Sequence, residues 1–157
     1  MNTYLLLKWL HIVSSVLLVG TGFGSAFYLF FANRTRNMAV IAEVSRLVVR
    51  ADWWFTAPTV IIQPLTGIAL VKLAGYSWTE GWLLAVYALF ILAGACWLPV
   101  VWLQIQMARI AASTNSNQGE LPQLYWRYAH IWTVLGSIAF PSVLAIYGLM
   151  VFRPDIP

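Results

Sequence analysis

Four stretches of this chain, roughly residues 4–32, 51–73, 81–109 and 125–152, are built from aliphatic and aromatic residues and carry at most two charged side chains each. Each exceeds the ~20 residues an α-helix needs to cross a hydrocarbon core about 30 Å thick. In hydrocarbon, backbone N–H and C=O groups must be satisfied within the segment, and a helix does this by itself. Charged residues make up 9% of the 157-residue chain, against about 25% in an average soluble domain. The pattern predicts an all-α integral membrane protein, a single four-transmembrane-helix up-down bundle over residues 1–157. Short connections make sequence neighbours pack antiparallel.

Orientation follows from where the positive charge lies. The first connection holds Arg34, Arg36, Arg46 and Arg50, and Arg109 and Arg127 flank the third, whereas the second has only Lys72 beside it. By the positive-inside rule, connections one and three face the cytoplasm and both termini lie on the periplasmic side. Lys8 and Arg153 are exceptions whose long side chains snorkel to the interface. Residues 38–50 show helical apolar spacing with no breaker, so they extend the second helix out of the membrane. Nine Trp and seven Tyr, many near segment ends, fit interfacial aromatic belts. The first apolar run is too long for a cleavable signal core and has no small-residue cleavage site after a short core.

Pro64, Pro99 and Pro141 fall near mid-membrane. Each removes a backbone donor and frees a carbonyl that lipid cannot satisfy, so Gln63, Thr66, Cys96, Ser137 and Ser142 are expected to satisfy those carbonyls. The kinks are either simple packing or the walls of a central cavity. In the first segment, the small-residue stripe Gly20-Thr-Gly-Phe-Gly-Ser-Ala permits close helix approach or lies against a flat ligand.

Both histidines of the chain are in apolar segments, His11 in the first and His130 in the last. An intramembrane ionisable residue is a functional-site candidate by default. Counted from the segment ends, their levels differ by roughly 25 Å. Metal–imidazole bonds are only about 2 Å long, so one iron cannot be held between the two. At the depth of His11 lie Ser14, Ser15, Thr66, Tyr87 and Tyr147. Met150 offers a thioether, a known haem ligand, but is expected roughly 8 Å away in depth. The readings for His11 are three: a haem or metal ligand with Thr66 and Met150 in the same cofactor site, a neutral histidine bonded to a freed carbonyl, or a proton relay. His130 is expected in a polar network with Asp52 and Arg127, near Arg50, Arg109, Gln104 and Gln106. That network either ties the helices together or receives a carboxylate such as a porphyrin propionate, since arginine forks match carboxylates.

Other chemistries lack their residues. Cys96 is the single cysteine and lies mid-segment, so there is neither an intrachain disulfide nor a Cys-x-x-Cys-His for covalent haem. The Gly22-Phe-Gly24 pair sits inside an apolar segment rather than a strand–turn–helix, which removes the phosphate-loop reading. No acidic residue occupies mid-membrane for transport. The net charge of +4 lies beside membrane segments and does not point to nucleic acid.

Several motifs resemble a bacterial integral membrane family, domain of unknown function 2269, over nearly the whole chain. They are Tyr4-Leu-Leu-Leu-Lys-Trp-Leu-His11-Ile, Phe55-Thr-Ala-Pro-Thr-Val-Ile-Ile-Gln-Pro64-Leu-Thr-Gly67, and Gly81-Trp-Leu-Leu with Gly94-Ala-Cys-Trp-Leu-Pro99-Val-Val-Trp-Leu-Gln104-Ile-Gln-Met. The Lys-x-x-His-Ile start, the Pro…Thr-Gly second helix and the Gly-Trp-Leu opening of the third are also distantly similar to HemJ-type protoporphyrinogen oxidases and the CopD membrane domain. That likeness implies a b-type haem ligand at His11, a redox role and the bacterial inner (cytoplasmic) membrane. The HemJ pattern has an arginine late in helix 1, where this chain runs Ser25 to Leu29, and a lysine early in helix 3, where it has Val86. The implied haem binding is therefore separable from the porphyrinogen-oxidising activity.

The sequence thus leaves three functions in play. One is a haem b redox protein of the bilayer. Another is a non-enzymatic accessory or self-associating subunit without cofactor, for which the apolar faces allow a homo-dimer or larger membrane complex. The third is a copper-binding membrane protein using His11.

Overall fold

The computed structural model describes residues 2–156. Its four long helices are α1 Thr3–Thr35, α2 Met38–Ala74, α3 Gly81–Ser116 and α4 Gln123–Phe152. All four are long and apolar enough to cross a membrane, and no strand occurs among the described residues. Side chains such as Trp54, Ile91 and Leu98 are 77%, 69% and 66% exposed, an outward apolar surface suited to lipid. The protein is an all-α, multi-pass integral membrane bundle.

Local chemistry sets the helix ends. The Asn2 side chain accepts from Tyr4 N at 3.0 Å, capping α1. Arg36 takes a left-handed conformation with φ 56°, and the Asn37 side chain accepts from Val40 N, so two residues turn the chain from α1 into α2. Gly75, with φ 73°, closes α2, as left-handed caps favour glycine.

The expected extension of the second helix is real. Residues 38–51 continue into the apolar part without a break, through a π-helical turn at Asp52–Thr56. Pro58 explains the turn, because it has no N–H for the carbonyl of Trp54 and its ring crowds that carbonyl. The Ala57 N–H reaches back to Asp52 O instead, a five-residue step.

The two ends of the bundle differ. The end carrying Arg34, Arg36, Arg46, Arg50, Arg109 and Arg127 is called the basic end here, and the opposite one, with both chain termini, the terminal end. The main apolar core lies at the basic end, where Leu29, Ile41, Met107, Tyr125 and Trp132 are buried together. There residues 38–51 of α2 pack on both α1 and α3, and α3 packs along α4. Towards the terminal end, Ala57–Ala74 packs closely on α1 alone, and α1 meets α4 over a short stretch. The bundle is thus two antiparallel hairpins packed most closely on one another at the basic end.

The polar residues expected at the proline-freed carbonyls are engaged elsewhere. By the i−4 rule those carbonyls belong to Val60, Ala95 and Ser137. Gln63 bonds to His11 O and Ser14, Thr66 to His11 and Ile62 O, Ser137 to Thr133 O and Ser142 to Ile138 O. Helical side chains this short reach their own i−3 or i−4 carbonyl most easily. Close packing of the α1 glycine stripe inside the chain is also absent, since a Cβ added at Gly20, Gly22 or Gly24 would meet nothing within 4 Å.

Candidate functional site

His11 and Ser14 lie one turn apart on α1, and Gln63 and Thr66 one turn apart on α2, so each pair shares a helix face. The helices run antiparallel and the pairs meet crosswise. His11 Nδ1 is 2.7 Å from Thr66 Oγ1, and Gln63 Nε2 donates to Ser14 Oγ at 2.5 Å and to His11 O at 2.8 Å. Ser14, Gln63 and Thr66 are buried at 2%, 9% and 5% exposure. Buried polar groups in a membrane need partners from within the protein, and these four residues supply them to one another.

The network favours one imidazole tautomer. Thr66 has one hydroxyl proton, and its Oγ1 also lies 2.7 Å from Ile62 O. With that proton on Ile62 O, Nδ1–H donates to Thr66 and Nε2 carries the lone pair. Nε2 has no hydrogen-bond partner among the described residues, and the ring is half-buried. A histidine held through one nitrogen with the other free is the arrangement metal-ligating imidazoles use. Gly67 lies beside the ring, and a Cβ there would reach His11 Cε1 at 3.5 Å, ordinary contact.

Two contacts set the register of α1 against α4. Tyr147 Oη donates to Ser15 O at 3.1 Å, and Phe23 stacks on Phe140 with centroids 4.8 Å apart. These contacts set the start of α1 beside the end of α4 at the terminal end.

Tyr87 lies on α3. The Tyr87 hydroxyl is buried without a hydrogen-bond partner. Of His11, Thr66, Tyr87 and Met150, only His11 and Thr66 are joined by a hydrogen bond among the described residues. Among the described residues there is no cluster of three or more His, Cys, Asp and Glu side chains.

The polar residues of the basic end are not brought into one network. His130 is exposed and lines a groove of about 360 Å³ with Arg34, Arg36 and Trp126, where the Arg36 guanidinium sits 4.0 Å over the Trp126 ring. Asp52 lies in a different seam, the crevice between α2 and α3, and its Oδ1 accepts from Thr56 Oγ1 at 3.0 Å. Arg127 is exposed and forms no ion pair among the described residues, where the one ion pair is Arg46–Glu43. Equal depth did not mean proximity. The arginines close to His130 come from the end of α1, which the segment-by-segment depth count did not single out.

A family model described as predicted integral membrane protein (DUF2269) matches residues 5–154. No curated protein and no solved structure matches the chain.

Proposed function

We propose that this chain, which belongs to the DUF2269 family of predicted integral membrane proteins, binds one b-type haem through His11 and serves a redox role in the bacterial inner membrane. The observation that carries this reading is the free Nε2 of His11, held in its tautomer by Thr66 at 2.7 Å. The residues around it fit the group. Met150, near the end of α4, would offer a thioether as a further ligand. The unpartnered Tyr87 hydroxyl offers a hydrogen bond to a propionate or a bound water. Haem would supply one-electron chemistry; the protein's part is ligation, orientation and exclusion of water.

The same geometry argues against porphyrinogen oxidation. Val86 is buried and apolar at 6% exposure, and Ser25 donates its hydroxyl to Gly22 O. Neither position supplies the basic group of the HemJ pattern. The positive-inside distribution supports a cytoplasmic basic end with both termini periplasmic, which labelling of cysteines introduced at Ser77 and Ser116 in intact cells would test.

A second reading is favoured by one observation, the closed set of bonds among His11, Ser14, Gln63 and Thr66. Such a set holds α1 to α2 whether or not a cofactor is present, as an accessory or self-associating subunit would require. Optical spectroscopy of the protein purified from haem-replete cells separates the two readings. Haem ligation gives a Soret band that His11→Ala abolishes and Met150→Ala shifts from low towards high spin. A colourless, folded protein refutes haem binding, and copper found by metal analysis of that sample would move His11 to a copper site.

A further inference from the structure

We propose that the groove between the end of α1 and the start of α4 holds the phosphate headgroup of an anionic phospholipid. The groove measures about 360 Å³, and its accessible wall is part polar and part apolar. Asn33, Arg34 and Arg36 line it from the α1 side, and Trp126, His130 and Thr133 from α4. Its volume falls within the roughly 300–1,000 Å³ of small-ligand sites.

The positive charge in this groove has no counter-charge. Neither Asp nor Glu lines it, and the one ion pair among the described residues, Arg46–Glu43, lies on α2. Arg34 and Arg36 are exposed, and aromatic rings place both of them. The Arg36 guanidinium sits 4.0 Å over the Trp126 ring and that of Arg34 5.6 Å over the Phe30 ring. Stacking uses the face of a guanidinium and leaves its in-plane N–H fork for phosphate oxygens. Asn33 adds donors: its Oδ1 accepts from Tyr125 Oη at 2.6 Å, which leaves the NH2 without a partner among the described residues.

The run of the groove selects a lipid over a soluble anion. Trp126 to Thr133 covers about 10 Å along α4, and the antiparallel α1 brings Arg36 onto Trp126 at the outer mouth. Phe30 and Thr133 line the part further from that mouth. One turn beyond, on the same helix faces, Phe27 and Val134 are 50% and 47% exposed, an apolar surface for acyl chains. Charge at the membrane edge and apolar side chains towards its interior follow the order of a phospholipid, whereas a soluble anion would use the arginines alone. Basic pockets between transmembrane helices take anionic headgroups in this way. With two guanidinium groups and no carboxylate, the groove favours a headgroup that carries no ammonium of its own.

The test titrates the full chain in detergent micelles with phosphatidylglycerol or phosphatidylcholine and counts bound lipid by native mass spectrometry. One phosphatidylglycerol should be retained at concentrations where phosphatidylcholine is not. Arg34→Gln and Arg36→Gln should each weaken its binding about fivefold, and Arg36→Lys, which keeps the charge and loses the fork, by less. Circular dichroism checks that each variant keeps its helices. Arg109→Gln and Arg127→Gln remove exposed arginines of the same end that do not line the groove, and should leave binding unchanged. Equal losses in these two variants would show a diffuse surface charge and overturn the proposal, as would equal retention of the two lipids. A second arm adds excess glycerol 3-phosphate. Lipid that stays bound supports the phospholipid as occupant, and its displacement overturns that assignment in favour of a soluble phosphate.

Discussion

His11 Nδ1 and Thr66 Oγ1 stand 2.7 Å apart, and this one bond both ties α1 to α2 and leaves His11 Nε2 free. Interhelical hydrogen bonds in membranes average about 0.6 kcal/mol and reach about 1.7. Thr66→Val, which keeps the shape and removes the acceptor, should destabilise the protein by about 1 kcal/mol in reversible unfolding from detergent micelles. Thr66→Ser should cost less than half as much. Nitrogen-15 NMR of ring-labelled histidine should show Nδ1 protonated in the cofactor-free parent protein and a mixture of tautomers in Thr66→Val. An unchanged spectrum would remove Thr66 from the role of orienting His11.

The Gln63 side chain reaches Ser14 Oγ at 2.5 Å and His11 O at 2.8 Å, so its loss should exceed that of Ser14. Gln63→Leu should cost about 1–2 kcal/mol, since a buried acceptor and a hydroxyl lose their donor together. Ser14→Ala should cost about 0.5 kcal/mol in a bond of this kind. Because the residues are in contact, the double variant should be less destabilised than the sum of the singles by about 0.5 kcal/mol or more. Strict additivity in the cycle would show that the two side chains do not interact in solution.

Much of the fold was legible because hydrophobic runs report length directly. All four helices lie where the apolar runs placed them, overrunning by a few residues at their ends. The site was legible in depth and poorly in azimuth. Asp52 and His130 share a level yet face different seams, and a depth count carries no angle around the bundle. Gln63 lies at a suitable depth for a proline-freed carbonyl, whereas its amide points across to α1. Pro58 sets the π-helical turn at Asp52–Thr56; it was readable as a helix breaker but lies at the membrane edge rather than mid-segment. The contact of Phe23 with Phe140 joins two residues that no local pattern connects.

Stability should be concentrated at the basic end. Ile41, Met107 and Tyr125 are fully buried there, and Tyr125 Oη donates to Asn33 Oδ1 at 2.6 Å. Met107→Ala should cost about 2–5 kcal/mol, as for other large-to-small core changes, and Tyr125→Phe about 1 kcal/mol. Hydrogen exchange in nanodiscs should be slowest in residues 103–111 and 125–132 and faster in 57–74, where α2 packs on α1 alone. Faster exchange at the basic end than in 57–74 would reverse this assignment.

At the terminal end, the exposed Arg153 is held by aromatic rings. Its guanidinium lies 5.1 Å from the Tyr76 ring centre and 5.8 Å from that of Trp82, and it donates to the Tyr76 hydroxyl. Trp82 is fixed in turn, since its Nε1 donates to Glu80 Oε2 at 2.6 Å. The tail after α4 then passes so close to the start of α3 that a Cβ on Gly81 would fall on the Ile156 carbonyl. Arg153→Ala removes the anchor and Gly81→Val removes the space, so both should release the tail. A spin label at Asp155 should become more mobile in each variant, and Arg153→Lys should restore part of the order, because an ammonium keeps the cation–π attraction but not the planar stacking. The stability cost of releasing the tail should be small, under about 1 kcal/mol for an interfacial cation–π contact, which separates a local anchor from a support of the whole fold. An immobile label in both variants would show that other contacts hold the tail.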